Sequence, residues 1–300
     1  MGDSHSKRSP SPPAPPTPSP WQNKLLFLAK PFISCSMESK SDMETKLREF
    51  CLTEQDVGQL RIVLFGPVGA GKSSFINSVN NAFLGRITSK ALVASGAGTS
   101  FTTTYKTHKI GHGRLPFVFN DVMGLEEGGS AGILNEDLIS GLEGHIKENY
   151  KFNPISPLSN GNSYYNPSPA MGDKVHCVVN VIPADKISMV TDEVINKLRS
   201  VRNKASDLGN RIPQVVVMTM IDKACPEVDR DLQNIYRSKK IKQKMQECSY
   251  RLGVPMNCIL PVKNYHEEIS VDMKMDLLIL SALTQIVHFA DDYVASLYDR

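Results

Sequence analysis

The chain has 300 residues, of which 41% are hydrophobic, and this length suits one large α/β domain or two smaller domains. Its 34 Lys and Arg residues against 31 Asp and Glu give a formal net charge of +3, so charge alone indicates no specific nucleic-acid partner. The six cysteines form no Cys-x-x-Cys pair, which argues against a zinc site or a disulfide framework. No apolar run approaches the roughly 18–20 residues of a membrane span, and no signal segment opens the chain, so we expect a soluble, intracellular protein.

Residues 1–22 form a Pro- and Ser-rich tail that we expect to be disordered, because it cannot bury enough apolar surface to offset the entropy of ordering. Its prolines favour polyproline II structure, for which an SH3-like domain is a possible partner. The first residues, Met1 to Ser6, fit the pattern M-G-x-x-x-[ST] for N-myristoylation. A single acyl chain binds membranes only marginally, so this pattern predicts at most weak membrane contact, and a plain flexible tail is the alternative.

The rest of the chain is predicted to consist of a short helical or packing segment at 23–58 and a main domain at 59–300. The first segment includes a polar helix at 41–56. In the main domain, strands are predicted at 61–65, 117–120, 175–182, 214–219 and 257–262, with a shorter edge strand at 105–110. Helices are predicted at 72–82, 132–148, 190–207, 227–251 and 273–297. This alternation predicts an α/β fold with a mainly parallel sheet and helices on both faces.

A glycine-rich motif, Gly66-Pro67-Val68-Gly69-Ala70-Gly71-Lys72-Ser73, stands between the first strand and the first helix of the main domain. This is the context in which G-x-x-x-x-G-K-[ST] indicates a P-loop NTPase. Loop N–H groups and the helix N-terminus would surround a phosphate. Lys72 would act as the catalytic cation on the β- and γ-phosphates, and Ser73 would ligate Mg²⁺. The predicted nucleotide contacts here are Gly66, Val68, Gly69, Ala70, Gly71, Lys72, Ser73 and Ser74.

Two further segments predict the rest of the phosphate and metal site. Asp121 ends a strand and begins a D-x-x-G motif, in which Asp121 would hold Mg²⁺ and the N–H of Gly124 would meet the γ-phosphate. The long loop at 84–104 ends in a threonine cluster, and Thr103 is predicted to take part in catalysis by completing the Mg²⁺ shell when a γ-phosphate is bound. Thr102 is the alternative, and a polar loop without a ligand role stays open. A second long loop, at 152–174, is expected to be functional or disordered.

The sequence Thr219-Met220-Ile221-Asp222 follows the strand at 214–219, where GTPases carry [NT]-K-x-D. The Asp222 carboxylate would accept two hydrogen bonds from guanine, whereas adenine would leave this buried carboxylate unpaired. Met220 replaces the lysine of the motif, and methionine can cover the face of the base but cannot reach back to the P-loop with an ammonium. Guanine selectivity is therefore predicted, but a weaker selectivity than a complete motif would provide.

Leu125 directly follows the D-x-x-G motif, where many small GTPases carry a glutamine that positions the attacking water. A leucine side chain neither donates nor accepts a hydrogen bond. Intrinsic transfer of the γ-phosphoryl group to water is therefore predicted to be slow, unless another loop or a partner supplies the missing group.

Two helical patterns leave alternatives open. Arg237, Lys240 and Lys244 would share one helix face, which indicates either a contact with acidic lipid or RNA or, as we favour, a solvated face. The amphipathic C-terminal helix at 273–297 is expected to pack on the core, with a homodimer contact as the alternative.

Several longer segments carry a resemblance beyond the generic P-loop. They are G-P-V-G-A-G-K-S-S-F, D-V-M-G-L-E, G-H-I-K-E-N-Y-K-F-N-P-I-S-P, D-K-V-H-C-V-V-N-V and C-I-L-P-V-K-N-Y-H-E-E. Together they resemble the interferon-induced protein 44 family. The resemblance implies a cytoplasmic GTP-binding protein of interferon-induced antiviral defence, without the function of the larger preceding domain that some members carry. It also places residues 261–265 beside the base, with Lys263 as a contact.

The leading hypothesis is a GTPase-like G domain that binds GTP or GDP with Mg²⁺ and acts as a slowly hydrolysing switch. The first alternative is a nucleotide-bound adaptor that does not hydrolyse GTP. The second is a P-loop small-molecule kinase, against which the D-x-x-G motif and Asp222 stand, because a kinase of that kind needs neither.

Overall fold

The computed structural model describes residues 37–89, 91, 103–122, 124–125, 133–207 and 211–299. The predicted tail of residues 1–22, Thr102 and most of the loop at 84–104 lie outside the described residues. The expectations of disorder, of an SH3-like partner and of myristoylation therefore stay predictions.

One six-stranded sheet forms the centre of the domain. Its strands are β1 (Leu60–Phe65), β2 (Lys106–Lys109), β3 (Phe117–Asp121), β4 (Cys177–Pro183), β5 (Gln214–Thr219) and β6 (Ile259–Pro261). Their spatial order is β2-β3-β1-β4-β5-β6, in which β2 runs antiparallel to β3 and all other neighbours are parallel. The predicted parallel sheet and its polar edge strand are confirmed.

Helices pack around the sheet, and every residue of the central strand β4 is buried, as expected for a parallel strand covered on both faces. The helices are α1 (Met37–Arg48), α2 (Lys72–Leu84), α3 (Asn135–Leu142), α4 (Asp192–Asp207), α5 (Ile221–Ala224), α6 (Pro226–Arg230), α7 (Lys239–Leu252) and α8 (Met273–Tyr298). Short 3₁₀ helices lie at Gln55–Val57, Gly111–Gly113, Met171–Asp173, Ile187–Met189, Leu232–Asn234 and Met256–Cys258. The predicted α/β fold, with the P-loop motif between β1 and α2, is confirmed.

The strand order determines where a ligand site is expected. β1 lies between β3 on one side and β4 on the other. After β1 the chain forms β2 and β3 on one side of it and then crosses to form β4 on the other side. Open α/β sheets bind ligands at the carboxyl ends of the strands where the order reverses in this way. The P-loop follows the carboxyl end of β1, Asp121 ends β3, and Thr219 ends β5. The predicted motifs therefore meet at one edge of the sheet.

The single helix predicted at 227–251 is wrong, because two polar side chains start new turns inside it. Asp231 is extended, with φ −152°, and its carboxylate accepts the N–H of Gln233. Ser238 then caps α7 by accepting the N–H of Ile241. Asp and Ser side chains compete for backbone N–H groups in this way, so they begin helices rather than continue them.

The helices predicted at 41–56 and 132–148 both end earlier than expected. After α1 the chain forms a loop, in which Thr53 donates its N–H and its hydroxyl to Asp291 of α8 at 3.0 and 2.7 Å. After α3, Gly144 adopts φ +85°, and a Cβ there would lie 2.8 Å from neighbouring backbone. Both ends are therefore fixed by tertiary contacts that sequence periodicity does not contain.

By length and composition α8 could cross a membrane, contrary to the expectation that no segment of this chain could. However, 61% of its apolar window is buried inside the protein, where α8 packs against α1, α2, β1 and β4. The buried Asp276 of α8 also pairs with Lys40 of α1 at 2.7 Å. Packing inside the domain accounts for this helix, as the amphipathic pattern predicts.

Candidate functional site

The P-loop backbone depends on glycine at two close approaches. Gly66 has φ +150° and Gly71 has φ +91°, which are conformations that side chains disfavour. A Cβ on Gly66 would collide with the carbonyl oxygen of Val181 in β4, and a Cβ on Gly71 would lie 2.9 Å from Nδ2 of Asn264. The loop therefore packs closely against β4 on one side and against the segment that follows β6 on the other.

Lys72 begins α2, and its side chain is held inside the loop that precedes it. The residue is 7% exposed, and its ammonium donates to the carbonyl oxygens of Gly66 at 3.0 Å and Pro67 at 3.2 Å. Burial lowers the pKa of Lys72 to about 8, against the opposing effect of the nearby Asp121 carboxylate. A cation buried in a glycine loop at a helix N-terminus provides the charge that a phosphate group needs.

Ser73 and Asp121 form a pair of oxygen groups next to Lys72. The Ser73 hydroxyl donates to Oδ2 of Asp121 at 2.7 Å, and Asp121 is buried at the end of β3. Among the described residues no group of three or more His, Cys, Asp and Glu side chains could hold a metal. The pair suits Mg²⁺, which is usually held by one or two protein oxygens together with phosphate and water.

The D-x-x-G motif lies directly on the P-loop. The N–H of Leu125 donates to the carbonyl of Gly66 at 3.0 Å, and the N–H of Val68 donates to the carbonyl of Leu125 at 3.4 Å. A Cβ on Gly124 would come within 2.7 Å of the Val68 side chain and 3.2 Å of the Lys72 ammonium. The close approach of these two segments therefore requires glycine at position 124, as the motif predicts.

Leu125 contributes its side chain to the hydrophobic core, where it is 3% exposed. The sequence predicts only that leucine cannot orient water. The structure adds that this side chain is buried among apolar groups, so a polar replacement would have to be buried as well.

Leu125→Gln is therefore expected to leave hydrolysis slow and to lower the free energy of unfolding by about 1–3 kcal/mol, the cost of burying an unpaired amide. Thermal melting and single-turnover GTP hydrolysis measure the two effects, with Leu125→Met as the control of similar volume. A stable Leu125→Gln protein that hydrolyses GTP on the order of a hundredfold faster would contradict this placement of the side chain.

The segment from Thr219 to Asp222 is tied to the P-loop through its first residue. The Thr219 hydroxyl donates to the carbonyl of Ala70 at 2.7 Å. Met220 then adopts a left-handed conformation, with φ 54° and ψ 34°, and starts α5. Asp222, 9% exposed, is the second residue of that helix. These contacts place the carboxylate predicted to read the base on a helix that starts next to the phosphate loop.

Asn264 lies in the segment that the resemblance places beside the base, but the sequence does not predict its contact with the P-loop. Its Nδ2 donates to the carbonyl of Gly71 at 3.0 Å, and its Oδ1 is buried without a hydrogen bond from the described residues. Met220 cannot link the base segment to the P-loop as a lysine would, but Asn264 and Thr219 both make such a link. The buried Oδ1 is an acceptor that fits a ligand with N–H donors, such as a nucleotide base.

Lys263, predicted to contact the base, directs its ammonium elsewhere. It pairs with Glu268 at 3.2 Å. Burial opposes ionisation of Glu268, but hydrogen bonds from the backbone N–H groups of His266 and Glu268 together with the Lys263 charge hold its pKa below the usual value. The role of Lys263 at the base stays a prediction.

Asn264→Ala is expected to weaken nucleotide binding by about five- to tenfold, because it leaves the Gly71 carbonyl without this donor, a loss of about 1 kcal/mol or more. Lys263→Ala is the matched control and should change the affinity less than about threefold, because it removes only a partly exposed ion pair. Titration with a fluorescent guanine nucleotide compares the two. A larger effect for Lys263→Ala would assign the contact to Lys263 instead.

Thr103, predicted as a catalytic and Mg²⁺-binding residue, is fixed through its backbone. Its side chain is exposed, and its carbonyl accepts the N–H of Phe152 at 3.1 Å. Thr104 forms an antiparallel bridge with Lys151. The start of the second long loop thus holds the end of the first, and a role for Thr103 at the metal stays a prediction.

Two solved structures, both of proteins with bound GDP, show a weak similarity to this chain. Toc33 from Arabidopsis thaliana, in complex with GDP and Mg²⁺, is 13% identical with a TM-score of 0.43 and covers 87% of this chain and 91% of its own. An Era variant from Aquifex aeolicus, bound to GDP.AlF4-, is 16% identical with a TM-score of 0.40 and covers 78% and 56%. No protein-family model matches the chain.

Curated proteins give a closer comparison. Human interferon-induced protein 44 is 34% identical over 265 residues, which are 87% of this chain and 59% of that protein. Human interferon-induced protein 44-like is also 34% identical, with 87% and 58% covered, and mouse interferon-induced protein 44 is 32% identical, with 86% and 61% covered. The chain thus spans about three fifths of the length of these relatives. Over the 87% of its length that aligns, the chain is similar to human interferon-induced protein 44 and interferon-induced protein 44-like.

Proposed function

We propose that this protein binds guanine nucleotide and Mg²⁺ at the P-loop and acts as a slowly hydrolysing switch. The observation that carries the proposal is the bond between the Thr219 hydroxyl and the Ala70 carbonyl. It joins the segment with the base-reading Asp222 to the loop with Lys72. This bond supports the proposal because it holds the segment predicted to read the base against the loop predicted to bind the phosphates.

Each group has a stated task in this proposal. Lys72 and the loop N–H groups bind the β- and γ-phosphates, and Ser73 and Asp121 hold Mg²⁺, which neutralises phosphate charge when bound. Asp222 accepts hydrogen bonds from the guanine N–H groups. In hydrolysis, a water oxygen forms a bond to the γ-phosphorus while the bond to the β–γ bridging oxygen breaks. GDP leaves with the electron pair of that bond, and the proton of the water passes to phosphate or solvent.

Slow hydrolysis is proposed because Leu125 is buried. The side chain at this position lies in the hydrophobic core and carries no hydrogen-bonding group, so the attacking water would lack the usual orienting contact. The same observation favours the second candidate function, an adaptor that holds guanine nucleotide without hydrolysing it. Single-turnover hydrolysis separates the two functions.

The biological setting is proposed from the relatives. They are named as interferon-induced proteins, and we propose that this chain takes part in interferon-induced antiviral defence in the cytoplasm. Because the chain spans only part of those proteins, this proposal concerns the nucleotide-binding part that they share.

The switch is tested by hydrolysis measured over a wide range of protein concentration, with light scattering in parallel. The monomer should turn over GTP at or below the order of 10⁻⁴ to 10⁻³ per second, as unassisted Ras-like proteins do. If a homodimer supplies the missing group in trans, the specific activity should rise with concentration, and dimerisation should be stronger with GTP than with GDP. Fast turnover that is independent of concentration would refute the slow switch.

Nucleotide binding is also expected to take up a proton at about pH 8.5. Burial holds the pKa of Lys72 at about 8, so much of this lysine is neutral at that pH. Phosphate charges next to it raise its pKa, whereas the phosphates themselves are already ionised, with a second pKa near about 6. Calorimetric titrations in two buffers of different ionisation enthalpy should differ at pH 8.5 and agree more closely at pH 7. Equal heats at pH 8.5 would place the lysine away from the phosphates.

A further inference from the structure

A second concave surface lies between α6 and the start of α7, and we call it the basic cleft. It is open to solvent and has a volume of about 620 Å³, and its lining includes four cations, Arg230, Arg237, Lys239 and Lys240, and one carboxylate, Glu227. This volume is in the range of small-molecule sites, which is roughly 300–1,000 Å³. Three separate stretches of the chain supply the four cations: α6, the turn before Ser238, and the first two residues of α7.

The four cations of the basic cleft are exposed, and their side chains form no hydrogen bond or ion pair within the described part of the chain. Arg237 does lie near the Asp231 carboxylate, whose pKa is lowered first by its hydrogen bond from Lys274 and also by the charge of Arg237. Nearby basic residues differ, because they are already paired. Lys244 contacts Glu247 and Ser188, and Arg251 contacts Asp192. The four positive charges repel one another because they lie in one concavity. An anionic ligand bound there would relieve this repulsion.

The basic cleft stands next to the nucleotide site but shares no residue with it. Its lining begins at Cys225, which directly follows α5, the helix that carries Asp222. Helices that follow parallel strands start at the carboxyl edge of the sheet, so α6 and the start of α7 lie at the edge where the P-loop lies. The buried hydroxyl of Ser238 caps α7 beneath the cations, and the helix N-terminus adds to the positive potential of the cleft.

The shape and extent of the basic cleft indicate the kind of ligand. Nucleic acid is usually bound by a continuous track of cations along its backbone. Here Lys244, further along α7, is already paired with Glu247, so a track of unpaired cations does not continue along the helix through this residue. Two arginines side by side suit phosphate, because each guanidinium can bind it with two hydrogen bonds.

We propose that the basic cleft binds a compact ligand with several phosphate groups, either free or as a lipid headgroup. The proposal does not depend on guanine binding, because the cleft and the P-loop are separate. A ligand there would be held by Arg230, Arg237, Lys239 and Lys240 next to the helix that reads the base.

The test uses inositol hexakisphosphate in calorimetry at physiological salt, and vesicles of phosphatidylcholine with and without phosphatidylinositol bisphosphate. The cleft variant is Arg237→Glu with Lys240→Glu. The control is Lys46→Glu with Lys204→Glu, which changes the charge equally at two exposed lysines on α1 and α4. Melting temperatures verify that both variants are folded. We expect the cleft variant to lose at least about tenfold in affinity for one or both probes, and the control less than about threefold.

The two probes identify the source of the phosphates. Binding of the free inositol phosphate indicates a soluble ligand, and binding of the vesicles alone indicates a lipid headgroup. Lys72→Ala should leave either interaction intact, which separates failure of this proposal from failure of guanine binding. The proposal is overturned if neither probe binds, if the cleft and control variants lose affinity equally, or if Lys72→Ala abolishes the interaction.

Discussion

The Lys72→Ala protein is expected to be folded but to have lost nucleotide binding, with an affinity lower by on the order of a hundredfold or more. Lys72 is the cation buried inside the P-loop, 3.0 Å from the Gly66 carbonyl. A single ammonium facing several phosphate charges in a partly desolvated cradle is worth more than any one neutral hydrogen bond. The fold should persist. Burial lowers the pKa of Lys72 to about 8, which means that burying its charge is unfavourable, and the alanine variant does not have this cost.

Titration with a fluorescent guanine nucleotide measures this loss, and circular dichroism shows whether the variant is folded. Lys46→Ala is the matched control, because it removes an exposed lysine of α1 far along the chain from the P-loop. A folded Lys72→Ala protein with the affinity of the unchanged protein would mean that the loop does not bind phosphate.

Asp222→Asn is expected to weaken guanine nucleotides by about 10- to 100-fold, from the roughly 1.5–3 kcal/mol that hydrogen bonds to a charged group contribute. Xanthine nucleotides should bind better than before. The amide can donate a hydrogen bond where xanthine presents an oxygen, but it no longer accepts both of the guanine donors. Asp222 is 9% exposed, so solvent compensates little for the change.

Competition between GTP and XTP measures this change in base preference. The control is Asp229→Asn on α6, because the Asp229 carboxylate is exposed. If ATP competes as well as GTP for the unchanged protein, Met220 marks a site without guanine selectivity. If Asp222→Asn changes neither nucleotide, the base lies elsewhere.

The strands and the P-loop could be predicted from the sequence because each depends on residues that are close together along the chain. Apolar β-branched runs form the strands, and the glycine motif after β1 forms the P-loop, since glycine alone adopts the backbone angles required there without strain. The positions of Asp121 and Thr219 at strand ends follow from the same patterns. Parallel pairing then brings those ends to one edge, so the sequence indicates which motifs meet.

The contacts between segments could not be predicted in the same way. Asn264 bonds a P-loop carbonyl 193 positions away, and nothing in its neighbours signals that partner. Leu125 is buried where its backbone forms hydrogen bonds with the P-loop. The presence of a leucine in the sequence does not predict these hydrogen bonds. The break at Asp231 was missed because helical periodicity continues across it while the side chain binds a backbone N–H instead.

The central claim, guanine nucleotide binding at the P-loop, is tested most directly by titrating GTP, GDP and ATP analogues with and without Mg²⁺. We predict that GTP and GDP bind, that Mg²⁺ strengthens GTP binding through Ser73 and Asp121, and that ATP binds at least about tenfold more weakly, because it leaves the Asp222 carboxylate unpaired. Equal affinity for ATP and GTP, or an affinity for GTP that does not change with Mg²⁺, would contradict the account.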